Sequence, residues 1–141
     1  MIEGVIITQL DIIETPGGNV LHAMKDSSAG YSKFGEAYFS QVHCGAIKAW
    51  KRHKTMVLNL VVPVGKIRFV LFDDRKTSSG EFQEVILSKE NYCRLTIPPM
   101  IWIGFQGLDS NVSLLLNIAN IVHSPEESDR KTVDSIKYNW R

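Results

Sequence analysis

The chain has 141 residues, 44% hydrophobic and 22% charged, and its 16 Lys and Arg nearly balance 15 Asp and Glu for a net charge of +1. That length supports one domain with a sizeable core and not two comfortable ones, so residues 1–141 are read as a single domain. The balanced charge excludes a global field that would draw nucleic acid or an acidic membrane surface, so any anion site must be local.

Short strand-like runs follow one another, and no long helical period interrupts them. Val5-Ile6-Ile7 reads as a first strand, closed by the turn residues Pro16-Gly17-Gly18-Asn19. Strands are expected over 35–42 and 46–50, then over 56–62, where β-branched and apolar residues suit a buried strand. Gly65 marks a turn before a strand at 67–72, and the polar run 73–80 marks a loop or hairpin end. Further strands are expected at 82–87, 92–97 and 113–122, with Pro98-Pro99 outside any central ladder because neither can donate a backbone hydrogen bond. The charged segment 124–132 reads as one short helix, with Ser124 as cap and Pro125 at the first position. About nine short strands at nearly regular spacing predict an all-β sandwich or barrel.

The apolar stretches, such as 56–64 and 114–116, are too short or too interrupted to span a bilayer. Residues 1–9 carry Glu3 and no basic leader pattern, so a cytoplasmic setting with free thiols at Cys44 and Cys93 is expected, both cysteines being small core residues.

The densest chemical signal is Lys48-Ala49-Trp50-Lys51-Arg52-His53-Lys54. In a regular strand Lys51, His53 and Thr55 share one face, while Trp50, Arg52 and Lys54 share the other. An amine beside an imidazole inside a barrel would bind phosphate or serve as a base near neutral pH. The alternative is a solvated basic edge, which charged strands use to avoid pairing with neighbours. A metal site is not expected. The four histidines, His22, His43, His53 and His123, include no pair separated by a single residue, and the amine of Lys51 is no ligand when protonated. The sequence also lacks a nucleophile elbow and a glycine-rich phosphate loop, and no cofactor is expected.

Over roughly residues 34–140 the order of motifs resembles the dTDP-4-dehydrorhamnose 3,5-epimerase family. Phe34-Gly35-Glu36-Ala37-Tyr38-Phe39-Ser40 resembles F-x-Q-x-N-x-S, and Gly45-Ala46-Ile47-Lys48-Ala49-Trp50-Lys51 resembles G-V-L-R-G-L-H. Val61-Val62-Pro63-Val64-Gly65 through Asp73-Asp74-Arg75 resembles the V-x-G strand pair ending in D-x-R. Leu87-Ser88, Asn91 and Ile97-Pro98 follow L-S-x-x-N…I-P, and residues 97–105 follow I-P-x-G-x-x-H-G-F. Pro125-Glu126, Ile136, Tyr138 and Trp140 close the alignment.

The resemblance implies an antiparallel jelly roll of the cupin type, and a homodimer in which the N-terminal strand of one copy completes the sheet of the other. It also implies proton removal beside a keto group, with reprotonation on the opposite face. Carried over residue by residue, the family's base His becomes Lys51, its acid Tyr becomes Asn117, the His of H-G-F becomes Ile103 and its phosphate-contacting Arg becomes Lys48. The Asp that supports the base aligns beyond Trp140, outside this sequence. Lys48 and Lys51 lie on opposite faces of a regular strand, so both reach one pocket only if a bulge intervenes.

Two readings stay open. The first is an enzyme acting on a nucleotide-linked 4-keto-6-deoxysugar in surface-polysaccharide synthesis. Its catalytic groups would be Lys51, His53 and Tyr38, with Lys48, Trp50, Arg52, Glu36, Asn117 and Trp102 contacting the substrate. The second is a non-catalytic cupin that binds a nucleotide-sugar or supports a partner enzyme, with the basic residues serving as a phosphate clamp.

Overall fold

The computed structural model describes residues 1–141. Twelve strands carry the chain: β1 (Ile6–Gln9), β2 (Ile12–Ile13), β3 (Val20–Leu21), β4 (Glu36–Val42), β5 (Ile47–His53), β6 (Leu58–Val64), β7 (Lys66–Asp73), β8 (Glu81–Ser88), β9 (Cys93–Ile97), β10 (Trp102–Gly107), β11 (Ser113–Ala119) and β12 (Ser128–Arg130). Ten of them form two five-stranded sheets, ordered β1-β9-β6-β11-β4 and β12-β5-β10-β7-β8, while β2 and β3 make a separate hairpin. Every strand pairing is antiparallel, and the two sheets face one another as a cupin-type jelly roll.

Alternation explains the sandwich. In β11, Ser113, Leu115, Asn117 and Ala119 are buried while Leu114, Leu116 and Ile118 are partly exposed, the period-two pattern of a strand with one face on a core. Inward residues from both sheets, among them Leu60, Ile67, Phe69, Leu71, Leu95 and Leu115, make a core of 19 buried side chains. Gly65 turns β6 into β7 at φ +89, and a Cβ there would lie 2.2 Å from the Ser113 hydroxyl, so both conformation and space demand glycine.

A second, smaller cluster lies on the outer face of the second sheet, where Trp50, Val70, Trp102 and Ile136 are buried together. The segment after β12 crosses this face as a strap. Trp140 packs 5.6 Å from Trp50 between ring centroids, Tyr138 packs 5.1 Å from Trp140, and the Tyr138 hydroxyl donates to Glu84.

Most expected strands form within a few residues of their expected bounds, with two differences. The helix expected over 124–132 is not there. A single 3-10 turn, Pro125–Glu127, leads directly into β12, and Ser124 makes no side-chain cap. The chain is drawn extended because β12 hydrogen-bonds to the edge of β5, pairing Ser128 with His53 and Arg130 with Lys51. The second difference is β10, which sits in the middle of the second sheet between β5 and β7. Its two glycines, Gly104 and Gly107, break the apolar run that would have announced it. No helix is long and apolar enough to cross a membrane.

Candidate active site

The basic segment becomes β5, and its register with β10 decides what faces inward. Lys48 pairs with Phe105, Ala49 with Gly104, Lys51 with Ile103 and Arg52 with Trp102, so the register shifts and Trp50 is an extra residue. This is a β-bulge. Phe105 and Ile103 face the core, and cross-strand partners share a face. The bulge therefore turns Lys48, Lys51 and His53 all toward the interior, while Ala49 and Trp50 both pack on the outer cluster. The condition set by strand alternation is met.

Between the sheets these residues line a cavity of about 530 Å³. One wall carries Lys48, Lys51 and His53 from β5 and Arg130 from β12; the facing wall carries Tyr38 and Ser40 from β4 and Asn117 from β11. Leu58, Leu60, Ile103, Phe105 and Leu115 give it an apolar floor.

His53 is 5% exposed and its Nδ1 lies 2.6 Å from Glu127 Oε1. The other carboxylate oxygen of Glu127 accepts the backbone N–H groups of Thr55 at 3.0 Å and Met56 at 2.9 Å. A carboxylate only accepts, so Nδ1 carries a proton and Nε2 of the neutral ring is the free base. Nε2 has no hydrogen-bond partner in the chain, and His53 lines the cavity. Burial pushes the imidazole pKa below its ordinary value of 6.5, with the Glu127 contact opposing, so the ring is neutral near pH 7. Burial pushes the Glu127 carboxyl up, but hydrogen bonds from His53, Thr55 and Met56 outweigh it and hold it below the ordinary 4.5.

Across the cavity, burial and then the charge of Glu36 push the Tyr38 phenol above 10.0, which keeps it protonated. His53 and Tyr38 thus line one cavity from different sheets, the imidazole neutral and the phenol protonated near pH 7. The Lys51 amine is pushed below 10.5 by burial and then by Arg130, against the opposing charges of Glu127 and Glu36.

Of the nine residues singled out from sequence, Lys48, Lys51, His53, Tyr38 and Asn117 meet in this cavity. Asn117 is held there, its Nδ2 donating to the Ser40 hydroxyl at 3.0 Å. Of the other four, Trp50 borders the cavity and Arg52, Trp102 and Glu36 lie outside its lining. Arg52 faces out, donating to Asp129 at 2.8 Å with its guanidinium 4.6 Å over the Trp102 ring. Trp102 is 2% exposed in the outer cluster and donates from Nε1 to Asp74, so it offers no stacking face to a ligand. Trp50 borders the cavity, but its ring packs outward and Nε1 donates to the Val133 carbonyl at 3.0 Å. Glu36 shares the inward face of β4 without lining the cavity, because its carboxylate accepts the His123 backbone N–H. Sequence reasoning missed Glu127 and Arg130, both placed by β12 and its leading turn. An acid in the first turn of the expected helix gave no sign that it would reach a buried histidine. No three His, Cys, Asp or Glu side chains converge as a metal site would require.

No protein-family model matches the chain. The crystal structure of a dTDP sugar isomerase from Desulfovibrio desulfuricans superposes with a TM-score of 0.94 at 40% identity, covering 98% of this chain and 91% of that one. A spore coat polysaccharide biosynthesis protein of Bacillus subtilis is 25% identical over 146 residues, 99% of this chain and 97% of its own. A probable low-salt glycan biosynthesis epimerase of Haloferax volcanii is 29% identical over 100 residues, 69% of this chain, and the match spans 64% of the Haloferax protein. With 40% identity to the Desulfovibrio isomerase over nearly the whole of both chains, this chain belongs to the dTDP-sugar isomerase family of jelly rolls.

Proposed function

We propose that the chain is a nucleotide-sugar epimerase or isomerase acting on a nucleotide-linked 4-keto-6-deoxysugar that is destined for surface polysaccharide. The observation that carries this reading is the pairing across one cavity of a neutral, carboxylate-oriented His53 with a protonated Tyr38. His53 Nε2 removes the proton beside the keto group, and Tyr38 returns one from the facing wall, which inverts the carbon between them. Glu127 fixes the tautomer of His53 and stabilises the imidazolium that forms. Lys48 and Arg130 supply positive charge for the diphosphate. The Lys48 amine is 3.3 Å from the Gln41 carbonyl and exposed, which suits a contact at the mouth.

The names of the relatives, a dTDP sugar isomerase, a glycan biosynthesis epimerase and a polysaccharide biosynthesis protein, agree with this substrate class. A cytoplasmic setting is part of this proposal. The test is exchange of solvent deuterium into the carbon beside the keto group of a dTDP-4-keto-6-deoxyhexose, monitored by NMR. Ligand-dependent melting without exchange would favour the binding-module reading, which draws on Lys51 and Ile103 standing at the family's catalytic positions.

The working unit is proposed to be a homodimer formed through the N-terminal strand. β1 lies at the edge of the first sheet with one side unpaired, and Ile6 and Ile7 are 37% and 40% exposed. Sedimentation at micromolar concentration should give the mass of two chains, and a monomer would count against the proposal.

A further inference from the structure

The Lys51 amine is a half-buried cation without a partner. It makes no hydrogen bond or ion pair in the chain, and its side chain lines the cavity on the same inward face as His53, two residues along β5. Its cross-strand neighbours are Ile103, which can donate nothing, and Arg130, which repels it. Lys48, by contrast, sits exposed near the mouth with a carbonyl acceptor. A point charge meant only to hold a phosphate gains from a wet rim and loses from an apolar floor.

On the side of Ile103 and Asn117, an enolate formed beside Lys51 would meet few free donors. Ile103 stands opposite, and the nearby amide of Asn117 is committed to Ser40. Amine chemistry removes that requirement, because an iminium carries its own electron sink and leaves no oxyanion to stabilise.

We propose that Lys51 is a covalent catalyst that condenses with the keto carbon of the sugar, so that His53 removes the neighbouring proton from an iminium rather than from a ketone. This rests on the keto-sugar reading above. The step balances from the ammonium form, since R₂C=O and RNH₃⁺ give R₂C=NHR⁺ and H₂O. The C–N bond forms, and the carbonyl oxygen departs with two of the ammonium hydrogens. His53 Nε2 then takes the proton from the adjacent carbon, the C–H pair becomes the enamine double bond, and the nitrogen becomes neutral. Tyr38 gives a proton to the other face of that carbon and restores the iminium. His53 then releases its extra proton to solvent and Tyr38 takes one back. Water adds back, the C–N bond breaks, and the inverted ketone leaves. Burial and the charge of Arg130, which push the amine pKa down, raise the share of neutral nucleophile.

The test uses the full chain and a dTDP-4-keto-6-deoxyhexose. Sodium borohydride added during turnover should reduce the iminium to a secondary amine, found by peptide mass spectrometry on Lys51 alone. In H₂¹⁸O the carbonyl oxygen should exchange at a protein-catalysed rate at least as fast as deuterium enters the neighbouring carbon. Lys51→Arg keeps the charge and cannot condense; it should lose trapping and about 10²-fold or more in exchange while keeping ligand-dependent melting. Should Lys51→Arg fail to fold, trapping and ¹⁸O exchange on the unaltered chain still decide the matter. Deuterium exchange with neither trapping nor faster ¹⁸O exchange overturns the iminium and leaves the keto-sugar reading standing. Absence of deuterium exchange with every keto-sugar tried overturns both.

Discussion

Replacing Glu127 by Gln tests whether the chemistry runs through an oriented imidazole. Glu127 Oε2 accepts the N–H groups of Thr55 and Met56 at 3.0 and 2.9 Å, while Oε1 sits 2.6 Å from His53 Nδ1. In Glu127→Gln the amide oxygen must stay with the two backbone donors, because an NH₂ there would leave both unsatisfied. The amide NH₂ then faces Nδ1, which has to become the acceptor, and the ring proton moves to Nε2. The fold survives, but the nitrogen lining the cavity is no longer a base. Exchanging one charge-assisted hydrogen bond for a neutral one costs about 1–2 kcal/mol, and melting should fall by roughly 2–8 °C. Deuterium exchange should fall far more, by about 10²–10⁴-fold, the range a positioned general base contributes. Nitrogen NMR of the imidazole should show the proton moved from Nδ1 to Nε2. A variant that exchanges deuterium within about threefold of the parent, with its tautomer changed, would refute the assignment of His53 as base.

Acid should destabilise the fold in two stages. The folded His53 pKa is below 6.5, so the unfolded chain takes up that proton first and stability declines as pH falls below 6.5; Glu127, held below 4.5, contributes stability that is lost as pH falls through its folded value. Melting temperature against pH should show both stages in the parent and a smaller second stage in Glu127→Gln, where Asp73 and Asp129, also held below their ordinary values by Arg75 and Arg52, still contribute. Gly104→Ala should cost about 1–3 kcal/mol by overpacking the bulge, because the new Cβ would lie 2.8 Å from the Ala49 Cβ and 3.0 Å from the Trp50 ring; an unchanged melting temperature would show that the bulge is not locked by this contact. Tyr38→Phe should leave proton removal intact and slow inversion about 10²-fold, and adding Asn117→Tyr should recover part of it, since the two positions are directly paired between β4 and β11. Elemental analysis should find no stoichiometric iron, zinc or nickel, and a chelator should leave melting unchanged.

Sequence reasoning reached the fold because the strands are read from alternation and turn glycines, and both are local. Val61, Val62, Ile67 and Phe69 announce β6 and β7 without reference to anything distant. It reached Lys51 and His53 for the same reason, two residues apart on one strand face. It placed Arg52 and Trp102 at the substrate because local spacing cannot say which face of β5 is inward, and a single extra residue at Trp50 settles that through pairing with β10. Glu127 was out of reach for a stronger reason. Its partner His53 lies 74 residues away, and the two meet only because the segment after Pro125 extends along β5. A charged run with a proline at its start carries the helix signature in sequence, and the edge of a sheet overrides it.

On the proposed roles, the catalytic groups of the family are displaced within the sandwich more than they are lost. The base moves from the position of Lys51 to His53, one inward step along β5 and about 7 Å of extended chain. The acid moves from Asn117 to Tyr38, directly across the ladder, where paired Cβ atoms lie about 5 Å apart. The carboxylate that orients the base comes from Glu127 on the turn before β12. A sheet makes such moves cheap, because every second residue of neighbouring strands already points into the same cavity, and one substitution puts a new group there without altering the backbone. The moves are not neutral for the reaction. A sugar ring is smaller than the 7 Å step, so a substrate held by its diphosphate in the family's manner would present a different carbon to His53 than to a base at position 51. On the proposed roles, the cavity favours proton transfer at one carbon beside a keto group over the double inversion at two carbons that names the 3,5-epimerases.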